Sequence, residues 1–197
     1  MTREMVTRGV LAGGLAAMLL LGAGSASAEI VELTPVDPQP EEGQLEPGLQ
    51  VSYVEEYFND VSELMGYEGT PGPVLPNIDS QPARNEPVLT SGKAMGVGAF
   101  IRGLVKLDEP GTWTFRVNSN DGVQMTLGGE MVHADPYKHS DTMSPPILVE
   151  VDTPGWYELA IDYFQRKGTA TLQLLWTRPG GGAEEIVPPE AFAHLRE

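Results

Sequence analysis

The sequence predicts an all-β chain: an antiparallel β-sandwich or barrel with one or two very short helices. Three observations carry this. Apolar residues recur at every second position in one short segment after another, the period of a strand with one buried face. Turn formers are abundant, with 23 glycines and 17 prolines among 197 residues. No alternation of strand with helical segments runs through the chain, which removes the parallel α/β folds.

In chain order, residues 1–28 read as an address. Arg3 and Arg8 precede an uncharged apolar run from Gly9 to Ala23, and Ala26-Ser27-Ala28 supplies small residues for a peptidase. This is the pattern of a secretory signal peptide cleaved before Glu29. The run is shorter than the roughly 20 residues of a spanning helix. The mature protein is therefore expected to be soluble, and periplasmic or secreted. Residues 29–47 hold Pro35, Pro38, Pro40 and Pro47 among Glu32, Asp37, Glu41, Glu42 and Glu46. That composition predicts a disordered linker, since it buries too little apolar surface to offset ordering entropy. Residues 48–197 form the expected domain.

Within it the alternating sets are Leu49, Val51 and Tyr53; Ala99, Ile101, Val105 and Leu107; Trp113, Phe115 and Val117; and Val123, Met125 and Leu127. Ile147, Val149 and Val151 follow, then Tyr157, Leu159, Ile161 and Tyr163, and last Ala170, Leu172, Leu174 and Trp176. Gly128-Gly129 suits a tight hairpin. Pro71–Pro87 reads as a long internal loop. Asp108-Glu109-Pro110-Gly111 and Asp152-Thr153-Pro154-Gly155 echo one another before Trp113 and Trp156, each predicting a type II turn that opens a strand. Asn59–Met65 and Pro189–His194 are the two helical segments.

Composition excludes whole classes. Without cysteine there is neither disulfide nor thiolate chemistry. With 28 acidic against 12 basic side chains and a formal charge of −16, nucleic acid is not a partner.

The domain resembles the protective-antigen-type β-barrel domain, the PA-14 domain. The likeness rests on Gly48–Tyr53 with Glu56-Tyr57-Phe58, Leu107–Phe115, Ser119-Asn120-Asp121-Gly122-Val123 with Leu127-Gly128-Gly129, and Gly155-Trp156-Tyr157. Tyr163-Phe164, Leu172–Trp176 and Val187–Phe192 complete it. The resemblance implies a β-barrel or sandwich that often binds carbohydrate. In its lectin branch two consecutive aspartates joined by a cis peptide hold calcium, and a second loop adds ligands. Here the pair is Asn120 and Asp121, the metal candidates, and the second loop reads Gln165-Arg166-Lys167-Gly168-Thr169, without an asparagine or an acid. Calcium wants roughly 6–8 oxygens and carboxylate charge, so the implied Ca2+ site is weak at best.

Each candidate has a plainer role beside it. Asn120-Asp121-Gly122 is also a good turn sequence. His133, Asp135, His139 and Asp141 could ligate zinc, but they lack its usual spacing and otherwise serve as polar surface. His139 and Tyr137 suit hydrogen bonding to, and stacking on, a glycan. Trp113 and Trp176 are in phase with core residues; Trp156 lies in the opposite phase and is the surface candidate. No nucleophile elbow or triad segment is present, and no acid sits in an apolar stretch that would raise its pKa, so an enzyme is not expected.

The expected function is an exported, non-catalytic module recognising carbohydrate or a cell-surface polymer through loops at one end. Its ligand-binding residues are Asn120, Asp121, Tyr137, His139, Gln165 and Arg166. The alternative is a structural or protein-interaction domain of the envelope without sugar or metal.

Overall fold

In the expected strands every second residue turns inward, and two sheets close on those residues. The computed structural model describes residues 29–196; the signal peptide expected at residues 1–28 lies outside the described residues. In chain order the strands are β1 (Ile30–Glu32), β2 (Leu45–Pro47), β3 (Gln50–Glu55), β4 (Thr70–Pro71), β5 (Asp79–Ser80), β6 (Val97–Leu107), β7 (Gly111–Asn120) and β8 (Val123–Leu127). They continue as β9 (Glu130–Asp135), β10 (Thr142–Met143), β11 (Ile147–Val151), β12 (Gly155–Gln165), β13 (Thr171–Thr177), β14 (Glu185–Ile186) and β15 (Phe192–Leu195). One sheet runs β1-β11-β7-β13-β14, with β10 beside β7 and β5 beside β13. The other runs β2-β15-β6-β12-β8-β9, with β3 beside β6 and β4 beside β3. The result is an all-β sandwich and not a closed barrel.

The core lies between the sheets. Val51, Ile101 and Leu159 of one sheet join Trp113, Val149 and Leu174 of the other in a single apolar cluster. Trp113 and Trp176, both expected inside, are buried with ring centres 4.9 Å apart. A smaller cluster of Val54, Phe58, Val61, Leu64 and Phe164 sits beside it.

The echoed turns have a structural meaning. Asp108–Pro110 carries the chain from β6 to β7, and Asp152–Pro154 from β11 to β12, so each crosses between sheets. In each, a buried aromatic four residues on donates back to the turn: Trp113 Nε1 to Glu109 O at 3.0 Å, and Tyr157 OH to Thr153 O at 2.6 Å. Gly111 has the positive φ of 118° a type II turn asks for; Gly155 does not, so the second turn is of another kind. Gly128 and Gly129, at φ 56° and 86°, make the β8–β9 hairpin turn as expected.

Two expectations need correction. The segment 29–47 is not an unstructured linker: β1 pairs in parallel with β11, and β2 pairs antiparallel with β15. Thr34 N donates to Gly128 O and Val36 N to Trp156 O, so the arm straps both sheets. Gln39 adds to it, its Oε1 accepting from Trp156 N at 2.7 Å. Main-chain pairing to existing strand edges orders this segment, and composition carries no trace of it. The helical segments are single 3-10 stretches. Val61–Gly66 is capped by Asp60, which accepts from Ser62 N at 2.8 Å; Pro189–Ala191 gives way to β15 where a helix was expected. No helix among the described residues is long and apolar enough to cross a membrane.

Candidate functional site

Three connections cross between the sheets at one end of the sandwich: residues 121–122 from β7 to β8, 136–141 from β9 to β10, and 166–170 from β12 to β13. Register brings them together. Asn120 pairs with Thr171, Ser119 with Thr142, Val123 with Asp135, and Val97 with Gln165. The loops named by the sequence therefore meet.

Asn120 and Asp121 lie at the centre, each 7% exposed and joined by a cis peptide, the geometry the resemblance implies. Asn120 Nδ2 donates to Asp141 Oδ1 at 2.7 Å and to Thr169 Oγ1 at 3.2 Å. Its carbonyl accepts from Tyr163 OH at 2.5 Å. Asp121 Oδ2 accepts from Arg166 N at 2.8 Å. These side chains tie three loops together, which is more than a turn requires. Gly122 follows for a steric reason: a Cβ there would stand 2.4 Å from Pro136 O and 2.6 Å from the Phe164 ring.

Burial lifts the Asp121 carboxyl above its ordinary value, against the Arg166 N–H and the field of His139. The expectation that no acid is so placed is therefore wrong. Asp121 sits in a polar motif, but the sandwich folds the motif inward beside Phe164. Tyr163, fully buried and facing Asp121, has its phenol pushed well up and stays a neutral donor.

Gln165 is entirely buried; its Nε2 reaches Thr169 O at 3.4 Å and its Oε1 has no hydrogen-bond partner. Arg166 is held at both ends of its backbone, by Asp121 at N and by Gly96 N, which donates to its carbonyl at 3.1 Å. Its Nε is buried without a hydrogen-bond partner, as is Thr171 Oγ1. His139 Nδ1 donates to Ser140 O at 2.8 Å, and its Nε2 lies 3.3 Å from Asp135 Oδ2. Tyr137 is 63% exposed on the rim, its backbone bridged to Asp60. All six predicted ligand residues thus fall at this end. Trp156 does not: it is half-buried at the far end of β12, with Lys106 5.8 Å from its ring centre and the arm along its backbone. Sequence reasoning weighed Asp141 as a zinc ligand or a polar surface group, named Thr169 only as part of the loop Gln165–Thr169, and missed Thr171. The signal for Asp141 was its place on a loop whose neighbours are all polar.

The donor set does not fit calcium. Asp121 and Asp141 each spend an oxygen on an N–H, Arg166 sets a positive charge beside Asp121, and the second loop brings no acid. Among the described residues no three His, Asp or Glu side chains gather closely enough to hold a metal, and this covers the zinc candidates too.

The PA14 domain family profile matches residues 46–190. The chain belongs to the PA14 domain family. No curated protein sequence matches it. Among solved structures, the PA14 domain of an antifreeze protein, MpAFP, superposes with a TM-score of 0.63 at 16% identity, over 81% of this chain and 95% of that one. A PA14 sugar-binding domain from an RTX adhesin gives 0.61 at 17% identity, over 75% and 98%. The Epithelial Adhesin 9 A domain of Candida glabrata, in complex with Galβ1-3GlcNAc, gives 0.60 at 12% identity, over 85% and 97%. At these identities the likeness speaks for the fold: this PA14 domain shares their sandwich.

Proposed function

We propose that this PA14 domain is an exported, non-catalytic binding module that recognises carbohydrate through the loop end formed by residues 119–122, 134–144 and 165–169. The observation that carries the reading is the convergence there of Asn120, Asp121, Arg166 and His139 on the end that also exposes Tyr137, with Gln165 buried among them. Fixed hydrogen-bonding groups next to an aromatic face are what a sugar's hydroxyls and apolar ring face require. The sugar-binding adhesin domains among the structural neighbours support it, and the signal-peptide pattern of residues 1–28 supports export. Calcium is not part of this reading, because the second loop brings no acid and Arg166 sets a positive charge beside Asp121.

A glycan array probed with the protein in buffer and in EDTA tests this. The expected result is binding that EDTA leaves unchanged and that the Asn120→Ala, Asp121→Ala double variant abolishes while still folding. Binding that disappears in EDTA would reinstate the metal, and absence of binding to every glycan would end the carbohydrate reading.

A further inference from the structure

The distribution of positive charge narrows what the loop end binds. In a chain of formal charge −16, the cations elsewhere are mostly neutralised in place. Lys93 pairs with Glu55, Arg102 with Asp162, Arg116 with Glu184, Arg178 with Asp108 and Glu109, and Arg196 with Glu46. The loop end departs from this pattern. It gathers Lys138, Arg166 and Lys167 among Asp121, Asp135 and Asp141, yet among the described residues none of these three cations lies within 4.0 Å of a carboxylate. Lys167 is held instead over the Tyr57 ring, 5.4 Å from its centre.

Arg166 is the best placed of the group. Its backbone is clamped between Asp121 and Gly96, and its Nε is buried yet bonded to nothing. Asp121, the nearby acid, turns an oxygen to the Arg166 main-chain N–H and makes no ion pair with the guanidinium. A half-buried guanidinium with no carboxylate within 4.0 Å suits a planar carboxylate in bidentate contact. Tyr137, 63% exposed on the same loop end, offers an aromatic ring on which a pyranose can stack.

We infer that the loop end takes an anionic saccharide, a glycan bearing uronic-acid carboxylates, with Arg166 as the carboxylate's partner and Lys138 and Lys167 as neighbouring unpaired cations. The inference rests on the carbohydrate-binding reading and names its ligand class.

The test is calorimetry of the purified protein with polygalacturonate, alginate and hyaluronan, each beside its carboxyl-reduced neutral form. At least one uronate polymer should bind about 10-fold or more tightly than its reduced form, and the affinity should fall as salt rises. Arg166→Gln should lose that preference at unchanged melting temperature, and Arg166→Lys should recover part of it. Arg84→Gln, a loop cation elsewhere, should bind as the parent does. Equal affinity for uronate and reduced polymers, or a preference that survives Arg166→Gln, overturns the inference. Binding to neutral array glycans alone overturns it and leaves the carbohydrate reading standing. Binding to no glycan removes both.

Discussion

Each end of the sandwich carries an arginine just beyond a strand, and the two are treated in opposite ways. Arg178, after β13, has Asp108 at 2.6 Å and Glu109 at 2.7 Å, with its guanidinium carbon 5.0 Å from the Trp113 ring centre and 5.9 Å from that of Trp176. The Glu109 and Asp108 carboxylates raise its pKa further above its ordinary value. Arg166, after β12, has its backbone bonded on both sides and its Nε left over. One end has used its polar groups to close the fold. The other holds four buried polar atoms without hydrogen-bond partners, on His139, Gln165, Arg166 and Thr171. Unmet buried groups are costly; a fifth, Arg116 Nε, lies on β7, 3.9 Å from Glu184.

The largest expected effect tests the closed end. Trp113→Ala removes a fully buried indole and its bond to Glu109 O, and should cost about 3–5 kcal/mol of stability in denaturant unfolding. A loss under about 1 kcal/mol would show that this end is not the fold's anchor.

Next is Gly122→Ala at the open end, where the added methyl meets backbone oxygen at 2.4 Å. It should cost about 1–3 kcal/mol and weaken glycan binding in the same variant, because the loops must part. Binding kept in a destabilised Gly122→Ala protein would dissociate the site from the junction of residues 121 and 136.

How far the sequence foretold these ends follows from the range of the forces. The strands were legible because alternation is a local signal; Val51, Tyr53, Leu172 and Leu174 each show the face they bury. The arm was not. Its prolines and glutamates look solvated, and what orders it is hydrogen bonding to residues over 90 positions away, such as Val36 to Trp156. At the site, Asn120 and Asp121 were visible as a motif within four residues. The contacts of Asn120 with Asp141 and Thr169, 21 and 49 residues distant, exist only through strand register. Neutralisation of charge hides in the same way: Arg178 and Arg166 are both basic residues beside a turn, and only the folded chain tells the paired one from the free one.

A smaller effect compares those arginines directly. Arg178→Gln should lower stability by up to about 1 kcal/mol, the range of a partly exposed ion pair reinforced by packing on tryptophan. Arg166→Gln should change it by less than about 0.5 kcal/mol. Differential scanning calorimetry of the pair reads this. The reverse order would mean that Arg166 serves the fold and that the contrast between the ends is wrong.

The smallest effect concerns Asp121 and is a matter of sign. Burial raises its folded pKa above the ordinary 3.8, so between those two values the folded protein binds more protons than the unfolded chain. Its contribution to stability is then fully present below the unfolded pKa and is lost as pH rises through the folded one. Asp121→Asn keeps an oxygen to accept the Arg166 N–H and removes the titration. The melting temperature of the parent relative to Asp121→Asn should therefore climb as pH is lowered from 7 towards 4. The opposite slope would mean that Arg166 and His139 outweigh burial and hold the carboxylate in its charged form. In that case the Arg166 charge would already be answered from within by Asp121, and no anionic ligand would be needed to satisfy it.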